Sequence, residues 1–212
     1  NAKVHEIKEH SLDKLNEQWE VSKQLLPYLN IYQIHSATLD SGVLDNKEVL
    51  ERLSQLKQEH NLKIGLSTSG DNQNEIIEKA LSIKVDNKAL FDSFQVTFNV
   101  FDQSLLNMTS LLKNENKTII VKEALANGRV FPNINYNHYQ NTYDLLESLS
   151  SKYDTSIDAV ALRFCLDAIN PFMVLSGASE KEHITSNLLA NSFQLTSEEI
   201  MKIKTLATIP AS

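Results

Sequence analysis

His35 closes the run Ile31-Tyr32-Gln33-Ile34 and is followed by the small residues Ser36, Ala37 and Thr38. A histidine delivered at the end of a strand can exchange a proton or orient a carbonyl group. It can equally be an interior histidine with a hydrogen-bond partner, and the residue alone does not separate these readings. Other β-type runs also end on groups with chemistry: Lys3-Val4-His5, Ser67-Thr68, Asn99, Lys122-Glu123 and Ser176-Gly177. One polar strand end is ordinary, because a loop begins there. Six such ends favour a site at one mouth of a barrel. Lys122 is also the best candidate for a Schiff-base lysine in an aldolase-like barrel. His138 and His183 lack ligand spacing with Cys165 or another histidine, so no metal site is expected. His5 and His10 read as surface residues.

The elements that must position these groups alternate between short β-type runs and longer helical patterns. The β-type runs are "AKVHEI" at the start, then 31–35, 62–67, 93–99, 117–124 and 172–177. Between them, Leu12, Leu15, Trp19, Leu25, Leu26 and Leu29 mark a helical stretch over 12–29. Val49, Leu50, Leu53 and Leu56 line one face of a helix over 46–60, and Ile76, Ile77, Ala80 and Leu81 do so over 72–83. Further helices are expected over 102–114, 138–152, 155–168, 180–190 and 196–207. Thr155 with Asp158 reads as an acidic capping box, and Thr196 with Glu199 as a full one.

Strand–helix alternation implies βαβ units and a parallel sheet. A dinucleotide-binding open sheet would show a glycine-rich turn after its first strand. The only glycines are 42, 65, 70, 128 and 177, and they form neither that turn nor a P-loop. The expected fold is therefore α/β, a (β/α)8 TIM barrel, as one domain over 1–212. Six strands in 212 residues leave it two βα units short. The chain opens on Asn1 rather than Met, so the missing units are expected upstream.

A net charge of −7 argues against a general nucleic-acid footprint, which needs clustered Lys and Arg. No apolar run reaches the roughly 18 residues of a membrane span, and no signal peptide opens the chain. The single cysteine, Cys165, rules out an internal disulfide framework and fits a cytoplasmic setting.

In this order the strand ends resemble the aldo-keto reductase superfamily. "NAKVHE" is similar to the end of its third strand, and "LPYLNIYQIHSAT" to its fourth. "LKIGLSTSG" resembles its fifth, "FQVTFN" its sixth, and "IIVKEALANGRV" its seventh strand with the following loop. "VALRFCL" and "VLSGASEKEHITSNLLA" resemble the late helix and the eighth strand. The resemblance implies hydride transfer between NADPH, with NADH possible, and a carbonyl or alcohol. Its catalytic tetrad is Asp, Tyr, Lys and His. Lys3 matches the lysine and His35 the histidine. The aspartate and tyrosine belong to a segment before Asn1, and none of the tyrosines at 28, 32, 136, 139, 143 and 153 matches. The fragment alone is therefore expected to be inactive.

The resemblance also assigns cofactor positions. Ser67 and Gln95 match groups that bond the nicotinamide carboxamide, and Thr68 replaces the usual asparagine. Lys122 stands where many members place a stacking aromatic. The loop from Glu123 to Arg129, with Leu125, Asn127 and Gly128, is expected along the pyrophosphate. Gly177, Ala178, Ser179, His183, Ser186 and Asn187 match the adenosine-phosphate segment. Lys181 is the only lysine or arginine near that segment. The substrate is expected to be a small carbonyl or alcohol, with no nucleic acid and no membrane as partner. A second reading on the same fold is a non-catalytic NAD(P)-binding regulatory subunit.

Overall fold

The computed structural model describes residues 9–207. The chain forms two compact units, Asn1–Gln95 and Val96–Ser212. In the first, α1 (Leu12–Ser22) leads to β1 (Ile31–Ala37), α2 (Lys47–His60), β2 (Lys63–Thr68) and α3 (Gln73–Ser82). A hairpin of β3 (Lys84–Val85) and β4 (Lys88–Ala89) precedes β5 (Ser93–Thr97), in which the boundary falls. The second unit continues with α4 (Leu106–Asn114), β6 (Thr118–Lys122), α5 (Gln140–Lys152) and α6 (Ile157–Ile169). It ends with β7 (Met173–Val174), α7 (Lys181–Leu188) and α8 (Ser197–Ala207). The opening β-type run lies outside the described residues.

The fold is α/β with a parallel sheet. β1 pairs parallel with β2, β2 with β5, and β6 with β7. The strand order is β1-β2-β5 in the first unit and β5-β6-β7 in the second. The described strands do not close a barrel.

Local signals explain the helix ends. The Ser11 side chain accepts from the Lys14 N–H and Asn46 from the Val49 N–H, so each caps an orphan donor. Asn61 ends α2 in the left-handed region at φ 54°. At α8, Thr196 Oγ1 accepts from the Glu199 N–H while Glu199 accepts from the Thr196 N–H, the expected capping box. The Thr155 cap is not formed. Ser156 is the N-cap of α6 and makes no side-chain cap bond. Its hydroxyl bonds the Ser186 hydroxyl instead, and Ser186 donates to the Asp158 carboxylate.

Alternation along the strands gives the first unit's sheet two unlike faces. Register puts Gln33, Gly65 and Ser93 on one rung and Ser67 beside Gln95 on another, all on the same face. Ile34, Ile64, Leu66 and Phe94 alternate with them onto the opposite face and are buried. Trp19, Leu56 and Leu62 form a buried cluster with Leu26, Leu29 and Tyr32 packed on it. In the second unit Phe98 stacks on Phe164, with ring centroids 5.5 Å apart, in a core that includes Val121 and Leu146. Cys165 is buried there and donates to the Phe98 carbonyl; burial pushes its thiol pKa far up, so it is not a nucleophile.

Candidate active site

In the first unit the candidate residues meet where β1 and β2 end. The strands run in register from Ile31–Lys63 to Ile34–Leu66, and the next pair is Ala37–Thr68. β1 therefore carries one extra residue at His35-Ser36, a β-bulge, the device that re-aims a side chain at a strand end. Ser36 adopts φ 53°, the left-handed region that costs a non-glycine residue on the order of 1 kcal/mol. Two bonds hold the bulge. The Ser36 N–H donates to Ser67 Oγ at 2.8 Å, and His10 Nε2 donates to the His35 carbonyl at 2.9 Å. His10, expected at the surface, is half-buried and acts as a tether. The His35 ring is exposed, with Nε2 3.3 Å from Ser36 Oγ.

Behind the histidine the face is polar and buried. Ser67 and Thr68 are 3% and 2% exposed, too little for either hydroxyl to rely on bulk water. Thr68 Oγ1 donates to the Gln95 carbonyl at 3.4 Å, and Gln33 Nε2 donates to Gln95 Oε1 at 2.7 Å. Gln33 Oε1 is buried with no partner among the described residues. Sequence reasoning missed Gln33. The available signal was a carboxamide two residues before His35, on the same face of an otherwise apolar strand. A cavity of about 150 Å³ beside β1 is lined in part by Glu9, His10, Gln18, Gln33 and His35. Lys3 lies outside the described residues.

In the second unit Lys122 and Glu123 end β6 as an ion pair, Nζ to Oε1 at 3.0 Å. Thr97 Oγ1 donates to the other carboxylate oxygen at 3.3 Å. Glu123 sits at φ 56°, and the Asn99 side chain donates to its carbonyl at 3.0 Å. Asn99 Oδ1 also accepts from the Phe101 and Asp102 N–H groups, so this asparagine organises its own loop. Ala126, Asn127 and Gly128 follow at φ 50°, 54° and 85°, a run of left-handed residues that turns the chain tightly after Leu125. Arg129 Nε donates to the Ala126 carbonyl at 2.9 Å, which anchors the guanidinium to this turn. The Tyr143 hydroxyl donates to the Arg129 carbonyl at 3.0 Å.

Around α7, Gly177 is left-handed at φ 67°, and the Ala178 N–H donates to Ser176 Oγ at 3.2 Å. Ser179 and His183 are exposed. The Ser186 hydroxyl is spent on Ser156 and Asp158, tying α7 to α6. Asn187 is buried, and its Oδ1 has no partner among the described residues. No group of His, Cys, Asp and Glu among the described residues could hold a metal.

The model of the Aldo/keto reductase family matches residues 2–208, and the chain belongs to that family. A Bacillus subtilis (strain 168) protein named uncharacterized oxidoreductase YqkF is 22% identical over 195 residues, 84% of this chain and 60% of that protein. The chain thus spans about 60% of that relative's length. The aldo-keto reductase AKR11C1 from Bacillus halodurans, in its holo form, has a TM-score of 0.75 at 22% identity, covering 94% of this chain and 69% of its own. The glycerol dehydrogenase AKR11B4 from Gluconobacter oxydans gives 0.73 at 19% identity, covering 97% and 67%. These structural likenesses show the fold.

Proposed function

We propose that the chain is part of an oxidoreductase that transfers a hydride between a nicotinamide cofactor and a small carbonyl or alcohol substrate. The observation that carries this reading is the bulge that delivers His35 beside the buried Ser67 and Gln95, in a chain of the aldo/keto reductase family. His35 orients the substrate oxygen and takes part in the proton exchange. Lys3, by the family resemblance, lowers the pKa of a proton-donating tyrosine that none of this chain's tyrosines matches.

The cofactor, when bound, supplies the hydride. The residues present fit it at an orphaned buried atom. Asn187 Oδ1 is an acceptor that lacks a donor, which the amino group of an adenine would supply. Ser67 and Gln95 bond the carboxamide, and Thr68 holds the Gln95 backbone. Arg129 and the backbone of Glu123, Leu125, Asn127 and Gly128 take the pyrophosphate. Lys122, engaged by Glu123, acts as a charge and not as a stacking platform. Gly177, Ala178, Ser179 and His183 face the adenosine phosphate, and Ser186 holds α7 for them. NADPH is the first candidate, and the lone nearby cation, Lys181, leaves NADH as the second.

Fluorescence titration with NADPH and with NADH tests the reading. Binding that weakens about tenfold in Gln95→Ala supports it, the loss expected for one well-made hydrogen bond. The absence of binding to either nucleotide overturns it. The second reading, a non-catalytic nucleotide-binding subunit on this fold, turns on whether the complete protein carries the tetrad tyrosine and aspartate. Cofactor binding without carbonyl reduction by the complete protein would select it. Among the described residues no helix is long and apolar enough to cross a membrane.

A further inference from the structure

Gln33 and Gln95 lie on strands that are not neighbours. β2 runs between β1 and β5, yet the two carboxamides bond at 2.7 Å. The bridge passes over β2 at Gly65, which pairs with both Gln33 and Ser93. A Cβ on Gly65 would lie 3.3 Å from the Gln33 Cβ, on the side where the bridge runs. The missing side chain makes the crossing possible.

Two facing carboxamides can bond in either of two polarities. In this structure Gln33 gives the N–H and Gln95 gives the oxygen. The cost is one buried acceptor, Gln33 Oε1, without a partner among the described residues. The reverse polarity would strand the Gln33 amino group there, with two donors unsatisfied, which is the dearer choice. The consequence falls on Gln95. Its oxygen is consumed, so its Nε2 is what it offers to a ligand. Ser67 is treated the same way: its oxygen accepts the Ser36 N–H, and its O–H is left to donate.

We propose that Gln33 is a positioning residue that polarises Gln95, so that Gln95 and Ser67 present donors together to a carbonyl-type oxygen of the ligand. This rests on the cofactor reading above, with the nicotinamide carboxamide as that ligand. β1 thus carries the candidate histidine and also sets the hydrogen-bond polarity of the groups beside it.

The test is a substitution that reverses the polarity without changing shape. In Gln33→Glu the carboxylate can only accept, so Gln95 turns its amino group toward it and shows its oxygen to the ligand. NADPH or NADH affinity, read by fluorescence titration of the full chain, is expected to fall about tenfold at pH 8. At pH 5 to 6 the protonated carboxyl donates to Gln95 Oε1 again, and affinity returns to within about twofold of the parent. Burial raises the pKa of such a carboxyl, which brings the recovery into this range. The other titratable groups lining the same cavity are Glu9, His10, Tyr32 and His35, so affinities are compared with the parent at each pH. Parent-like affinity at pH 8, or a loss that acid does not reverse, overturns the proposal. Side-chain amide exchange by NMR reads the polarity in the parent chain itself. Slow exchange at the Gln33 amino protons and fast exchange at those of Gln95 is expected, and the opposite pattern also overturns it. Should the parent bind neither nucleotide, the cofactor reading fails, and the exchange pattern alone decides whether Gln33 polarises Gln95.

Discussion

Two of the polar clusters among the described residues are built on opposite plans. At the start of α8, Glu199 is 7% exposed and receives bonds from Lys152 Nζ at 2.5 Å, the Tyr153 hydroxyl at 2.7 Å and the Thr196 N–H at 2.8 Å. Tyr153 is in turn stacked on Phe193, with centroids 4.7 Å apart. Both carboxylate oxygens are occupied, so the cluster is closed. On the polar face of β1, β2 and β5 the groups are neutral, and the network ends on an acceptor with no partner among the described residues. A saturated polar network fastens helices together, whereas one with unused capacity is where a ligand can bind. Charge is a poor guide here: the ion-paired Glu199 cluster is structural, and the Gln33–Gln95 network is built from neutral groups.

The largest effect is expected from opening the closed cluster. Glu199→Gln should cost about 2 kcal/mol, because it weakens charge-assisted bonds at a buried site. Urea unfolding at pH 7 measures it. Burial pushes the Glu199 pKa up, but the bonds from Lys152, Thr196 and Tyr153 outweigh this and hold it at about 2, against an ordinary 4.5. A folded-state pKa below the unfolded value contributes stability above the unfolded pKa and loses it as pH falls toward the folded one. The parent should therefore lose its advantage over Glu199→Gln between about pH 4.5 and pH 2. A gap between the two proteins that stays constant down to pH 3 would show that Glu199 does not act as a paired carboxylate.

A smaller effect is expected from closing the gap that the open network uses. In Gly65→Ala the new Cβ would stand 3.0 Å from the Ser93 carbonyl oxygen, 3.1 Å from the Ser93 Cβ and 3.3 Å from the Gln33 Cβ. The first contact is with backbone in a paired strand, which yields little. Overpacking of this kind costs about 1–2 kcal/mol. Cofactor affinity should fall along with stability, because the Gln33 bridge crosses at this residue. A variant as stable as the parent would mean that the sheet face is less tightly built than the register implies.

These two regions also differ in how far the sequence reveals them. The Glu199 box is local: Thr196 and Glu199 are three residues apart, and the bonds form as expected. Helix α2 and strand β1 were likewise legible, because period 3.6 and period 2 are local signals. The Gln33–Gln95 bridge joins residues 62 apart, and the bulge at His35 exists only in the register of two strands. Neither can be read from one segment. The Thr155 cap failed for the same kind of reason, since Ser156 and Asp158 are drawn to Ser186 from another helix. The last strand, expected over 172–177, is only Met173–Val174. The β3–β4 hairpin escaped because each strand has two residues, although Asp86-Asn87, both at positive φ, were a visible turn signal.

The smallest effect should come from His10, and it tests whether the bulge is held as one unit. His10 Nε2 reaches the His35 carbonyl near solvent, while Ser67 holds the adjacent Ser36 N–H from a buried position. His10→Ala should therefore cost under about 1 kcal/mol on its own, the range of a solvent-exposed hydrogen bond. Ser67→Ala should cost more, because it leaves the strained Ser36 without its acceptor. The two bonds fix successive residues of one bulge, so their effects are coupled. Once either is lost, Ser36 can relax from φ 53°, and the remaining bond holds less. The double variant should then lose measurably less stability than the sum of the single losses, by on the order of 0.5 kcal/mol. Strict additivity in urea unfolding would show that the tethers act separately, and that the histidine's position owes nothing to their cooperation.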